Sequence, residues 1–396
     1  LSEPQTTALV PIWKLFRTVF ILSALSWGGL ALMAQLEHHY VEREGRLTRL
    51  AYSDLVALAW MVPGPVGCNV AVQLGYVLRG RVGAWASGIA SVLPFFIPMT
   101  LFAAFYRTSF VHAASAAMLL NHLRVVLAML IAVTWYRQIR TLVRGWLDGI
   151  AAAIGCVALL HAHSPIAYVV MLGGAFLVGW LAGSHEQGSL EIAWQRGDRV
   201  LLAGLSLLVV MFGIPLPPPY DVRLIWLRLG GAGLTLFGGG FSALPVLKTL
   251  FVTPATAITE NDFTLGFALS PVAPGPLLNV VPFFGYLAGL WPGALMATLA
   301  LFAPSGCLVV LAQRHLRQVA LHPRFGRGMR ALRSMTTAFL AVAVLKIGYQ
   351  APWQPDYLLT AIFALLCFAT RKVPVYAVYG TVAFLCIAWM LLWPHG

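Results

Sequence analysis

Val62-Pro63-Gly64-Pro65-Val66-Gly67-Cys68-Asn69 interrupts a long apolar run, and Ala273-Pro274-Gly275-Pro276-Leu277-Leu278-Asn279 interrupts another one 211 residues further on. Proline removes a backbone donor and blocks the turn before it, and glycine permits a change of direction. The agreement extends outward from this motif. Trp27-Gly28-Gly29 answers Phe237-Gly238-Gly239 at an offset of 210, and Leu47-Thr48 answers Ile258-Thr259 at 211. Gly75-Tyr76, Gly83-Ala84 and Pro94 answer Gly285-Tyr286, Gly293-Ala294 and Pro304 at 210. Ordered matches at a nearly fixed offset mark an internal duplication. The expected organisation is a first module over 11–184, a linker over 185–220 and a second module over 221–394.

The composition gives the solvent. Of 396 residues, 60% are hydrophobic and only 10% charged, and the mean hydropathy is +0.82. That leaves too little polar surface to cover a water-soluble globule. The formal charge of +13 is spread thinly between apolar runs, so no nucleic-acid face is expected. The five cysteines show neither metal-ligand nor redox spacing and read as buried apolar residues. Leu1–Val10 carries no basic stretch ahead of an apolar core, so no cleavable leader is read there. The chain opens on Leu rather than Met, which leaves the true amino terminus open.

A helical span needs roughly 20 apolar residues. Runs near 14–36, 52–79, 83–106, 115–136, 147–163 and 165–183 qualify in the first module. An extra run, 199–214, precedes 223–247, 260–290, 292–313, 334–350, 356–370 and 373–393. The expected fold is therefore an all-α integral membrane protein with about 13 transmembrane helices. Six spans per module plus one would turn the second copy upside down. The charges agree: Arg79 and Arg81 correspond to Gly289 and Trp291, and Arg137 and Arg140 to Ile347 and Gln350. Placing the Arg314–Arg333 cluster in the cytoplasm puts every other basic cluster there except Arg43, Arg46 and Arg49. The amino terminus is then cytoplasmic and the carboxyl terminus periplasmic. Each Pro-Gly-Pro stretch reads as a broken span; a re-entrant hairpin is the alternative, which would give five spans per module and parallel copies.

A broken helix at membrane depth must line a cavity or be buried in protein. Beyond Pro65 and Pro276 a new half-helix starts with exposed N–H groups and the positive end of its dipole, which attracts anions. The expected substrate-binding set is Pro63, Gly64, Pro65 and Asn69 with Pro274, Gly275, Pro276 and Asn279. The Asn amides would donate to an oxyanion. Gly28 and Gly29, with Gly238, Gly239 and Gly240, either expose backbone to this site or permit close helix packing.

With Leu236-Phe237-Gly238-Gly239-Gly240, Leu244-Pro245, Val41-Glu42-Arg43, both Pro-Gly-Pro motifs and the Gly75-Tyr76 and Gly83-Ala84 pairs, nearly the whole chain resembles the chromate ion transporters in their long two-module form. The resemblance implies chromate efflux and chromate resistance at a bacterial inner membrane, with sulfate as a competing analogue. Trp27, Leu30, Arg46, Trp60, Ala257 and Ser270-Pro271 depart from the family's usual residues, and those beside Pro-Gly-Pro bear on which anion is carried.

Ionisable residues at depth are functional candidates by default. Arg124 lies inside 115–136 and could grip a tetrahedral dianion with its planar fork, or snorkel to the interface. Asp54, Glu260 and Asp262 are candidates for proton coupling or, equally, first-turn helix acids. Lys248 and Lys346 read as snorkelling cations, and His161 and His163 as solvated loop residues. No cofactor, metal or catalytic residue is expected. The partners are a small oxyanion and the bilayer, with a homodimer left open. A secondary oxyanion exporter accounts for these features best; the alternatives are a membrane enzyme acting on a lipid or quinone, and an anion channel.

Overall fold

The computed structural model describes residues 10–107, 114–143, 145–161, 165–182, 195–214, 222–237, 240–320, 323–350, 354–370 and 372–392. Among them the chain is helical throughout. The first half forms α1 (Ile12–Ala24), α2 (Gly29–Glu37, continued by a wider turn over His38–Arg43), α3 (Arg49–Met61), α4 (Val66–Phe105), α5 (Ala114–Leu142), α6 (Trp146–His161) and α7 (Pro165–Leu181). After α8 (Arg196–Gly213) come α9 (Val222–Gly233), α10 (Leu244–Phe251), α11 (Glu260–Leu269), α12 (Val281–Ala320), α13 (Pro323–Gln350), α14 (Pro355–Thr370) and α15 (Val375–Leu392). The second series repeats the first about 210 residues later.

The matched motifs acquire local roles. Thr48 accepts a hydrogen bond from the Ala51 N–H and starts α3. Its counterpart Thr259 starts α11 in a reciprocal capping box with Asp262. Inside α4 the backbone leaves the helix at Arg79 and Gly80, and inside α12 at Gly289 and Leu290. These breaks are tight reversals. In a straight helix Gly75 and Gly83 would lie about 12 Å apart, yet a Cβ on either would overlap the other's carbonyl. Gly285 and Gly293 meet in the same way. The glycine pairs are the crossing points of two helical hairpins.

The apolar stretches expected as spans in front of these turns fold back as well. Gln73 Nε2 donates to the Leu55 carbonyl at 3.2 Å, where a broken but continuing helix would hold them about 27 Å apart. Phe263 and Phe284 stack at 4.8 Å instead of about 31 Å. Stretches 52–79 and 260–290 are thus hairpins with Pro-Gly-Pro at the tip, which corrects the broken-span expectation. Proline ends the incoming helix, and Gly64 (φ 112°) and Gly275 (φ 97°) take left-handed conformations that complete the reversal.

The first run, 14–36, is not one span either. Lys14 Nζ reaches Glu44 Oε1 at 2.8 Å, so α1 and α2 fold against each other around Ser26–Gly28. Leu15, Val19, Leu32, Leu36 and Tyr40 share one buried cluster. In the second half α9 and α10 flank the corresponding tip. Among the described residues, four helices or parts of helices are long and apolar enough to cross a membrane: Val66–Phe105, Met118–Leu142, Leu278–His315 and Arg324–Tyr349. The first and third contain the reversals at 79–80 and 289–290, so their later limbs are the long straight pieces.

Candidate functional site

The four tips meet, and they pair across the duplication. The Gly28 N–H donates to the Gly275 carbonyl at 2.9 Å, and the Gly275 N–H donates to Ser26 at 2.8 Å. The Gly64 N–H donates to the Leu236 carbonyl at 2.8 Å. Gly64 corresponds to Gly275 and Leu236 to Ser26, so the last two bonds are the same bond made twice, each joining one copy's glycine tip to the other's Pro-Gly-Pro. Trp27 adds an indole N–H to the Val272 carbonyl at 3.1 Å. The long helices respect the same exchange. A Cβ on Gly64 would come within 2.5 Å of Ser305 on α12, and one on Gly275 within 2.6 Å of Phe95 on α4. Ser305 and Phe95 are themselves 210 residues apart.

The two asparagines tie down the breaks. Asn279 is fully buried. Its amide donates to Ser270, Ala273 and Pro274 carbonyls at 2.8, 3.2 and 3.1 Å, and its Oδ1 accepts from Ser270 Oγ at 2.6 Å. Both N–H donors of that amide are committed to the loop. Asn69 is also buried but less committed. It donates to Pro63 at 3.3 Å and accepts from Ser305 Oγ at 3.2 Å. It also borders a cavity of about 600 Å³ between the later limbs of α4 and α12. The cavity is walled mainly by apolar side chains and is also lined by Arg81, Asp198 and Arg314. Asp198 accepts from Arg314 and pairs with His315, both at 2.7 Å.

The glycines divide. Gly28 takes φ 95° and gives its N–H to the bridge, whereas Gly29 packs against Gly67, where a Cβ would come within 2.8 Å of the Gly29 backbone. Gly238 and Gly239 lie outside the described residues, as does His163. Gly240 begins a short turn leading into α10.

Arg124, Glu260 and Asp262 come together, but away from the tips. Arg124 donates to Asn121 Oδ1 at 3.2 Å and to Asn261 Oδ1. Lys248 pairs with Glu260 at 2.8 Å, and the Tyr106 hydroxyl donates to Asp262 at 2.6 Å. This cluster surrounds the start of α11, about 15 Å of helix from the break. Asp54 is exposed on α3, and Lys346 is exposed on α13. On the loop after α2, burial pushes the Glu44 carboxyl up, but the Lys14 ammonium, with His39 and Arg46, holds it below its ordinary value.

Sequence reasoning missed Arg333, whose guanidinium donates to the Trp60 carbonyl in the last turn of α3. In the sequence it ends the run of cytoplasmic arginines and reads as one of them. Its position ten residues into α13 was the available signal.

Two stretches of the chain, 13–180 and 223–390, match the family model described as chromate transporter. The chain belongs to the chromate transporter family. It is 24% identical over 356 residues to a probable chromate transport protein of Synechococcus elongatus, covering 87% of this chain and 86% of that one. It is 26% identical over 321 residues to a chromate transport protein of Pseudomonas aeruginosa, covering 78% and 75%. A chromate transport protein of Cupriavidus metallidurans is 25% identical over 361 residues, covering 86% and 87%. No solved structure matches the chain. These relatives are transport proteins rather than enzymes, and the family together with the long apolar helices makes this a multi-pass membrane protein.

Proposed function

We propose that the chain is a secondary active transporter that carries chromate, or a related tetrahedral oxyanion such as sulfate, out of the cell by alternating access. The observation that carries this reading is the exchange of tips: Gly28 with Gly275, and Gly64 with Leu236. Broken helices of two repeats facing one another at mid-depth are the usual plan of secondary transporters. A path closed at its centre by interlocked backbone suits a carrier that opens to one side at a time. The inside-negative potential would drive a dianion outward with about 2.3 kcal/mol per charge per 100 mV.

In this proposal each module, 11–184 and 221–394, contributes two re-entrant hairpins and four full crossings. The crossings are the later limb of α4 with α5, α6 and α7, and the later limb of α12 with α13, α14 and α15. With α8 between the modules, this gives nine crossings in place of thirteen. Four is even, so the single crossing of α8 inverts the second copy. Pairings that support one common face are Lys14 with Glu44, Arg79 with Val10, Arg314 with Asp198 and Arg327 with Ala182. Tyr106 with Asp262 and His122 with Asp356 belong to the other. Folding α1 back on α2 brings Arg43, Arg46 and Arg49 to the face of Lys14 and Arg79, which removes the one exception to the positive-inside pattern. That face is cytoplasmic at the bacterial inner membrane, with the amino terminus on it and the carboxyl terminus periplasmic. Arg81 and Arg314, which line the cavity on that face, concentrate dianions at the entrance. Asn69, Gly28 and the Val66–Cys68 N–H groups form the substrate's surroundings at the first tip. Glu260 and Asp262 with Arg124 guard the periplasmic side and are the candidates for coupling.

The test is uptake of radiolabelled chromate into inverted vesicles containing the purified protein, with and without an inside-positive potential, in competition with sulfate, phosphate and molybdate. Chromate flux that follows the potential and is inhibited by sulfate is the expected result. Flux of another oxyanion alone would correct the substrate, and no oxyanion flux from folded protein would overturn the reading.

A further inference from the structure

Arg333 is a cation at depth that no carboxylate among the described residues neutralises. It lies ten residues into α13, about 15 Å along the helix from its start, and its partner Trp60 stands in the last turn of the helix that leads to the first Pro-Gly-Pro tip. Arg327 and Arg330, at intervals of three before it, are exposed, whereas Arg333 is half-buried. Its Nη2 donates to the Trp60 carbonyl. In an unbroken helix that carbonyl would accept from the Gly64 N–H, but Gly64 gives its N–H to Leu236 instead. Arg333 thus takes up an acceptor that the Pro-Gly-Pro break has freed. Among the described residues no other group takes its Nε or Nη1.

An unpaired charge removed from water is costly, and the cost falls when an opposite charge joins it. The guanidinium fork offers parallel N–H groups at the spacing of two oxygens of a tetrahedral oxyanion. Arg124, 209 residues earlier and so one residue from the equivalent position, differs in having its guanidinium held by Asn121 and Asn261. We propose that Arg333 is a substrate-binding residue: anchored on Trp60 by one Nη2–H, it presents the other Nη2–H and the neighbouring N–H on that edge to the oxyanion at the cytoplasmic approach to the first Pro-Gly-Pro tip. This rests on the oxyanion-transporter reading and assigns it a binding group at the inner end of the arginine series on α13.

The experiment measures chromate binding to the purified full chain by equilibrium dialysis, together with thermal unfolding, for the unaltered protein, Arg333→Gln, Arg333→Lys and Arg330→Gln. Glutamine keeps a polar amide on a shorter stem but carries no charge, and lysine keeps the charge. Arg333→Gln is expected to weaken binding by about tenfold or more at an unchanged unfolding temperature, with Arg333→Lys within about threefold of the unaltered protein. Arg330→Gln is expected to bind like the unaltered chain. Equal binding by Arg333→Gln, or equal loss in the Lys and Gln variants, overturns the assignment while leaving the transporter reading in place. A lower unfolding temperature with unchanged affinity of the folded fraction assigns Arg333 to the Trp60 cap alone and also overturns it. If the unaltered protein binds chromate, sulfate and molybdate no better than a detergent blank, the transporter reading itself fails and this inference goes with it.

Discussion

The two Pro-Gly-Pro tips are built from the same motif and are held differently. At the second tip Asn279 spends its whole amide on the loop, and the aromatic ring of Phe95 sits against Gly275. At the first tip Asn69 makes fewer bonds, the small polar Ser305 stands where the other copy has Phe95, and the cavity reaches Asn69. Duplication supplied two equivalent breaks, and the side chains around them have diverged. The second tip is locked by its own loop; the first keeps polar groups near open space, with Arg333 close behind it. A carrier of one small anion needs only one of its two breaks to bind tightly, and the other can serve as a fixed abutment.

The largest expected effect is all-or-none. Single cysteines placed in the 44–48 loop and at 82, in a variant lacking the native cysteines, should react with an impermeant maleimide from the same side. A cysteine at 291 should react from the opposite side. Opposite labelling of the 44–48 loop and 82 would restore the broken span and undo the hairpin comparison. Same-side labelling of 82 and 291 would remove the inversion while leaving both hairpins standing.

Next in size is the pair of asparagine truncations. Asn279→Ala strands three backbone carbonyls and the Ser270 hydroxyl in a buried site, and is expected to cost about 3 kcal/mol of stability. Asn69→Ala removes fewer bonds and should cost about 1 kcal/mol, leaving a folded protein with reduced oxyanion flux. Thermal unfolding in detergent, read beside vesicle flux, separates the two. Equal destabilisation would mean that the tips are equivalent after all.

The duplication, the helical content and the two breaks were legible in the sequence because Gly and Pro leave local signatures that survive divergence. The direction of the chain beyond each break was not legible. Hydrophobic periodicity reads the same whether the helix after Pro65 continues or returns, and the choice is made by long-range contacts such as Gln73 with Leu55. The one hint was the group Arg43, Arg46 and Arg49, the exception to the charge pattern that the proposed topology removes. The roles of Gly75 with Gly83 and Gly285 with Gly293 were visible only as matched letters, since close approach of two backbones has no one-dimensional signal. Asn69 and Asn279 stand beside the breaks, as their spacing from Pro-Gly-Pro dictates. A free amide and a committed one look identical until the carbonyls they serve are in place, so their different engagement could not be read.

The smallest expected effect tests whether the copies share their turn. Gly80 and Leu290 occupy matching reversals with φ of 63° and 56° and ψ of −150° and −148°. Glycine tolerates that conformation freely, whereas a side chain at such an angle carries strain of about 1–3 kcal/mol. Leu290 is half-exposed, so its removal opens no buried cavity. Glycine at 290 adds unfolded-state freedom worth about 0.5–1 kcal/mol, so Leu290→Gly should stabilise by a net of about 1 kcal/mol. Gly80→Leu should destabilise by a similar amount, because a Cβ built there meets no atom within 4 Å and only the backbone angle opposes it. The check is a paired set of unfolding curves. A rise for Leu290→Gly with a fall for Gly80→Leu would show one turn geometry carried by two different residues, its cost retained in the second copy. If Leu290→Gly instead lowers stability, the leucine side chain makes a favourable contact with its surroundings that outweighs the strain, and the two turns have diverged as far as the two tips.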